Sequence, residues 1–156
     1  MKKSNEQISK MAELIFILRQ KCALKDLYFV KRTGITSAEY NCLIQFYNAE
    51  YLSMKELSER LDITPGGVTR IVTSLEDKGI VKRSISPEDR RGIKVSLTKK
   101  GARIVEEMKQ ASIELHRDIM SHIDPKYREP VINAIELLIK AINNWLDAHR
   151  CKRASK

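Results

Sequence analysis

Several things are scarce in this chain of 156 residues, and each scarcity removes a class of protein. No stretch approaches the roughly 20 uncharged residues of a membrane-spanning helix, so no membrane partner is expected. The N-terminal "MKKSNEQISKMAELIFIL" has the lysines of a signal peptide. Its apolar run is short, however, follows Glu13 and leads into "RQK" rather than a small-residue cleavage site. The three cysteines, Cys22, Cys42 and Cys151, form no Cys-x-x-Cys pair and leave an odd count. They read as reduced thiols in a cytoplasmic protein rather than as a disulfide framework. His116, His122 and His149 are too scattered for a ligand set, so no metal is expected. There is no phosphate-cradling glycine loop, no nucleophile beside a base and no carboxylate pair at useful spacing. Neither an enzyme nor a cofactor is expected.

What is present is basic charge, unevenly placed. The net charge is +9, and from Lys78 to Arg103 nine bases face only Glu88 and Asp89. The tail "HRCKRASK" adds four bases and no acid, and reads as a disordered end. So local a basic segment suggests an electrostatic footprint for nucleic acid or an acidic surface.

Apolar periodicity supplies the frame. Ile8, Met11, Ile15, Leu18, Cys22 and Phe29 recur at helical spacing and predict a long helix over about 4–31. Thr36 with Glu39 forms a capping-box pattern opening a helix from Ser37 to about Asn48, and Ser53 with Glu56 repeats it. "DITPGG" follows: Thr64 can cap and Pro65 suits the first helical position of a helix ending near Gly79. "IVKRSI" and "IKVSL" then switch to a β pattern and predict two antiparallel strands around a charged loop. Beyond Thr98 a long helix runs to "DPKYREP", which predicts a break. A last helix, roughly Val131 to His149, is apolar over most of its circumference. Such a helix needs burial on several sides, which one small domain does not easily provide, so a homodimer is expected. The expected organisation is 1–36 for an N-terminal dimerisation helix, 37–100 for a winged helix-turn-helix lobe, 101–150 for C-terminal dimerisation helices and 151–156 for the tail. The fold class is mainly α with a small two-stranded β wing.

Helix, short helix, tight turn, helix, strand, charged loop and strand, in that order, suit DNA. The second helix of such a pair fits a major groove, and a hairpin beyond it reaches the neighbouring minor groove, where arginine gains from the concentrated negative potential. "LSMKELSERLDITPGGVTRIVTSLEDKGIVKRSISPEDRRGIKVSLTKKG" resembles the MarR family of dimeric winged-helix transcription regulators. The marks are "KEL", "VTRIVTSLEDKGIVKR" and D-x-R followed by "VSLTKKG". The resemblance implies that Arg91 enters the minor groove with Asp89 as its support, and that Thr64 to Thr73 face the major groove. It also implies an effector-responsive repressor on a pseudo-palindromic operator of double-stranded DNA.

Within that frame the candidate DNA contacts are Ser53, Thr64, Gly66, Gly67, Thr69, Arg70, Thr73, Arg83, Asp89, Arg90, Arg91 and Lys94. Gly66 and Gly67 read as permitting close backbone approach, with Thr69, Arg70 and Thr73 reading bases. Arg70 has a bland alternative, an exposed helix residue paired with Glu76 or with solvent, and Arg83 has another, packing its stem on a strand. Tyr28, Phe29, Tyr40, Phe46 and Tyr47, with Cys22 nearby, are candidates for an effector pocket; the resemblance implies a small aromatic or lipophilic anion. One branch of the family senses peroxide with a helical cysteine near the dimer interface. Cys22, however, falls on the apolar stripe, where a buried thiol behaves as a small hydrophobe. The other function considered is a winged-helix interaction module that docks an acidic protein partner.

Overall fold

The computed structural model describes residues 2–85 and 92–153. Among the described residues the order is α1 (Lys2–Thr33), α2 (Ser37–Ile44), β1 (Tyr51–Ser53), α3 (Met54–Leu61), α4 (Pro65–Asp77), β2 (Val81–Ile85), β3 (Ile93–Leu97), α5 (Lys99–Ser121) and α6 (Pro125–Arg153). The chain divides between Gln110 and Ala111 into two compact units.

In the first unit the helix starts are set by local side chains. The Thr36 hydroxyl accepts from the Glu39 amide (3.2 Å), while the Glu39 carboxylate accepts from the Thr36 amide (2.6 Å). Ser53 and Glu56 make the same reciprocal pair at α3. These boxes satisfy amides that a helix leaves without partners, which is why the two short helices are defined at all. Helix α2 stops at Ile44, short of the expected Asn48. Beyond it, Gln45, Phe46 and Tyr47 donate to carbonyls three residues back, a tighter winding than α.

The core gathers where α2, α3, α4 and the sheet meet. Leu43, Leu57, Val68, Val72, Leu75 and Val95 are fully enclosed. The two expected strands are present, pairing antiparallel from Val81↔Leu97 to Ile85↔Ile93. A third short strand, β1, joins the other edge of β3, giving the order β1-β3-β2. Three residues leading into a capping box carry too little alternation to read as a strand. Their pairing is set by the tertiary contact of Leu52 with Val95.

Helix α5 starts on the end of α4. The Thr98 hydroxyl accepts from the Gly101 amide (3.0 Å) and donates to the Gly79 carbonyl (2.7 Å), and the Thr98 amide donates to the Ile80 carbonyl (3.0 Å). In the second unit α6 begins earlier than expected. Asp124 accepts from the Lys126 amide (3.1 Å) and Pro125 takes the first position, so the "DP" pair starts the helix and Pro130 lies inside it. Pro130 lacks an N–H, but so near the helix start it costs one backbone hydrogen bond rather than the helix.

Apolar side chains remain exposed on both long terminal helices. Ile8, Met11, Leu14 and Leu18 do so on α1, and Ile135, Leu137, Ile139 and Trp145 on α6. Cys22 is exposed in the single chain, whereas Cys42 is buried as expected. The stripe that carries Cys22 has the spacing of a core face, and the chain's own core does not reach it. No helix among the described residues is long and apolar enough to cross a membrane.

Candidate nucleic-acid interface

Helix α4 turns one face inward and the other to solvent. Val68, Val72 and Leu75 are fully buried, while Gly66, Thr69, Arg70 and Thr73 are exposed. Its pose depends on the turn before it. Asp62 ends α3 in the left-handed conformation (φ 51°, ψ 44°). The Ile63 amide then donates back to the Ser58 carbonyl (3.2 Å), and the Ser58 hydroxyl donates to the Ile63 carbonyl (2.6 Å). Thr64 caps α4 by accepting from the Gly67 amide (3.3 Å), with Pro65 next. At the other end Gly79 has φ 67°, and the Gly79 and Ile80 amides donate to the Glu76 and Leu75 carbonyls. That double bond pattern terminates the helix and turns the chain into β2.

The first turn of α4 is bare for no internal reason. A side-chain carbon at Gly66 would meet nothing within 4 Å, and one at Gly67 would make only ordinary contacts with Ile63 and Thr64. Packing does not demand these glycines. Their effect is outward, leaving the backbone at the helix start open to close approach.

The candidates divide by what their side chains do. Thr64, Gly66, Gly67, Thr69, Arg70 and Thr73 lie together on α4 or at its cap. Arg70 is exposed to solvent, and Glu76 pairs with Arg83 (3.2 Å) rather than with it. The Arg83 guanidinium also donates to the Thr73 hydroxyl (2.6 Å) and the Thr69 carbonyl (3.1 Å). Ser53 spends its hydroxyl in the α3 capping box and sits across from Lys94 in the β1–β3 register. Lys94 lies over the Tyr51 ring, 4.0 Å from its centroid. Asp89, Arg90 and Arg91 lie outside the described residues.

Three of the expected effector-pocket residues are at least half enclosed. Tyr40 and Phe46 are buried, and Tyr47 is half-buried with an enclosed hydroxyl that makes no hydrogen bond among the described residues. Burial pushes the Tyr40 hydroxyl up to about 12, helped by Tyr47 and Asp26, so it stays neutral. Burial, then Asp26, raises Tyr47 as well. Cys22 is exposed, and the side chains of Tyr28 and Phe29 lie outside the description.

One residue that positions α4 is legible in the sequence only as a cap. Glu39 is 2% exposed, and its carboxylate accepts from the Ser74 hydroxyl (2.7 Å), the Lys78 ammonium (2.7 Å) and the Thr36 amide. Burial alone would raise its pKa. The hydrogen bonds from Lys78, Thr36 and Ser74 outweigh that and bring it to about 2. Glu39 therefore ties the start of α2 to the last turn of α4. The capping pattern is a local clue to its presence, but nothing local points to residues 35 and 39 positions away.

A helix-turn-helix with a solvent-facing second helix, followed by a sheet hairpin, defines the winged helix-turn-helix class. The family model of the MarR family matches residues 35–93. The transcriptional regulator PrsX of Escherichia coli is 33% identical over 123 residues, covering 78% of this chain and 69% of PrsX. An uncharacterised transcriptional regulator of Bacillus subtilis, YdgJ, is 28% identical over 136 residues, covering 87% of this chain and 83% of YdgJ. Among solved structures, wild-type MarR of Escherichia coli in its apo form superposes with a TM-score of 0.66 at 28% identity, covering 84% of this chain and 95% of that one. The chain belongs to the MarR family.

Proposed function

We propose that this protein is a sequence-specific DNA-binding transcription regulator, acting in the cytoplasm as a homodimer and releasing its operator in response to an effector. The observation that carries the reading is the division of α4: three fully enclosed apolar side chains behind, and a bare first turn followed by Thr69 and Arg70 in front. A major groove admits a helix presented in this way, and arginine pairs bidentately with guanine there. The relatives named as transcriptional regulators, rather than enzymes, support it.

The exposed apolar residues of α1 and α6 support the homodimer, since a second copy would cover them. Two copies carry two recognition helices, so the operator is pseudo-palindromic with half-sites about one helical turn apart. An effector that favours another spacing of the two helices lowers affinity by shifting the population. Hydroxyl-radical footprinting on the DNA upstream of the gene tests this. Two protected patches related by two-fold symmetry support the reading, and uniform or absent protection refutes it.

A further inference from the structure

Arg83 was open to two uses, a DNA contact or a packed stem, and the structure shows a third arrangement. Strand alternation places it on the same face of the sheet as the buried Val81 and Val95, so its side chain runs toward α4 rather than outward. There it meets three successive levels of that helix. One terminal nitrogen donates to the Thr69 carbonyl and the Thr73 hydroxyl, and the other pairs with Glu76. The same Glu76 carboxylate also accepts from the Arg83 backbone amide (3.0 Å), so it grips the strand as well as the side chain.

We infer that Arg83 is a positioning residue that fixes the β2–β3 wing to the recognition helix, so that both present to DNA at one set spacing; the inference rests on the proposed regulatory function. A planar guanidinium is suited to this because it holds several acceptors at fixed angles. The arrangement gives the Thr73 hydroxyl a donor in Arg83 and leaves Arg70 as the arginine of α4 that faces solvent without an ion pair among the described residues.

A phosphate contact and a positioning clamp predict different results. Binding of the full-length protein would be measured on the duplex upstream of its gene and on a shuffled duplex, across a range of salt. Arg83→Lys keeps the charge but cannot span three acceptors. The clamp predicts that Arg83→Lys and Arg83→Met both lose about tenfold or more on the upstream duplex, the size of one good specific contact. It predicts little change on shuffled DNA and an unchanged salt slope. If Arg83 instead neutralises a phosphate, Arg83→Lys retains affinity and Arg83→Met lowers the salt slope by about one.

Glu76→Gln leaves Arg83 in place and decides the matter even if the Arg83 variants fold poorly, which thermal melts followed by circular dichroism would reveal. The clamp predicts weaker binding to the upstream duplex. A freed phosphate-binding arginine predicts tighter binding to both duplexes, and that result overturns the inference. Wild-type protein with no preference for the upstream duplex would overturn the regulatory reading itself, and the clamp's role in recognition with it. Preference that survives unaltered in all three variants would overturn the clamp alone.

Discussion

Two arginines on neighbouring elements have opposite surroundings, and the difference assigns their work. Arg83 is held by α4, whereas Arg70 projects from it. Arg70→Ala is therefore expected to cost about 1–3 kcal/mol of operator binding while leaving the melting temperature close to wild type, the usual worth of a specific base contact. Titration of the variant against its operator checks this. Gly101 is constrained from the opposite direction, by packing: a methyl group there would overlap the Ile80 carbonyl oxygen, which is backbone and cannot swing away. Gly101→Ala is expected to destabilise by about 1–3 kcal/mol in urea unfolding, the range for overpacking a close contact. Neither environment was legible from residue type. Arg70 read as a base reader on the helix and Arg83 as a strand residue open to two uses, and what decides Arg83 is a sheet face and a partner seven residues away. Cys22 illustrates the same limit in reverse, because its spacing matched a buried stripe that the single chain leaves exposed.

Helices α2 and α4 are joined through one buried carboxylate, and the joint carries a pH signature. Glu39 has its folded pKa lowered from 4.5 to about 2, so its stabilising contribution is fully present above 4.5 and is lost as pH falls from 4.5 toward 2. Glu39→Gln should destabilise by about 2–3 kcal/mol at neutral pH, as expected when a buried, hydrogen-bonded charge is removed and Lys78 is left without its partner. The gap between wild type and variant should close as pH drops through that window, which urea titrations at a series of pH values would follow. A gap that stays constant would mean the carboxylate is not the source. Elements of this kind were legible where the cause is local. Both capping boxes, the Thr64–Pro65 start and the Gly79 stop could be read directly from adjacent residues. The early end of α2, the strand at Tyr51–Ser53 and the start of α6 ahead of Pro130 could not. Each depends on packing, or on a proline whose cost varies with its distance from the helix start.

The sequence carries a basic segment at residues 78–103, and the terminal helices carry exposed apolar side chains among the described residues. The first accounts for an anionic partner and the second for a second copy. Sedimentation is expected to give twice the 18.0 kDa chain mass, and Ile139→Glu on α6 to shift the protein toward monomer. Loss of the dimer should weaken operator binding far more than binding to random DNA, because only the dimer engages both half-sites at once. The claim on which everything else depends is that the exposed face of α4 reads sequence. Fluorescence anisotropy with the upstream duplex and a shuffled duplex of equal length, each at low and near-physiological salt, tests it most directly. The structure predicts a preference for the upstream duplex that persists when salt has removed most binding to the shuffled one. Equal binding to both, vanishing together as salt rises, would contradict it.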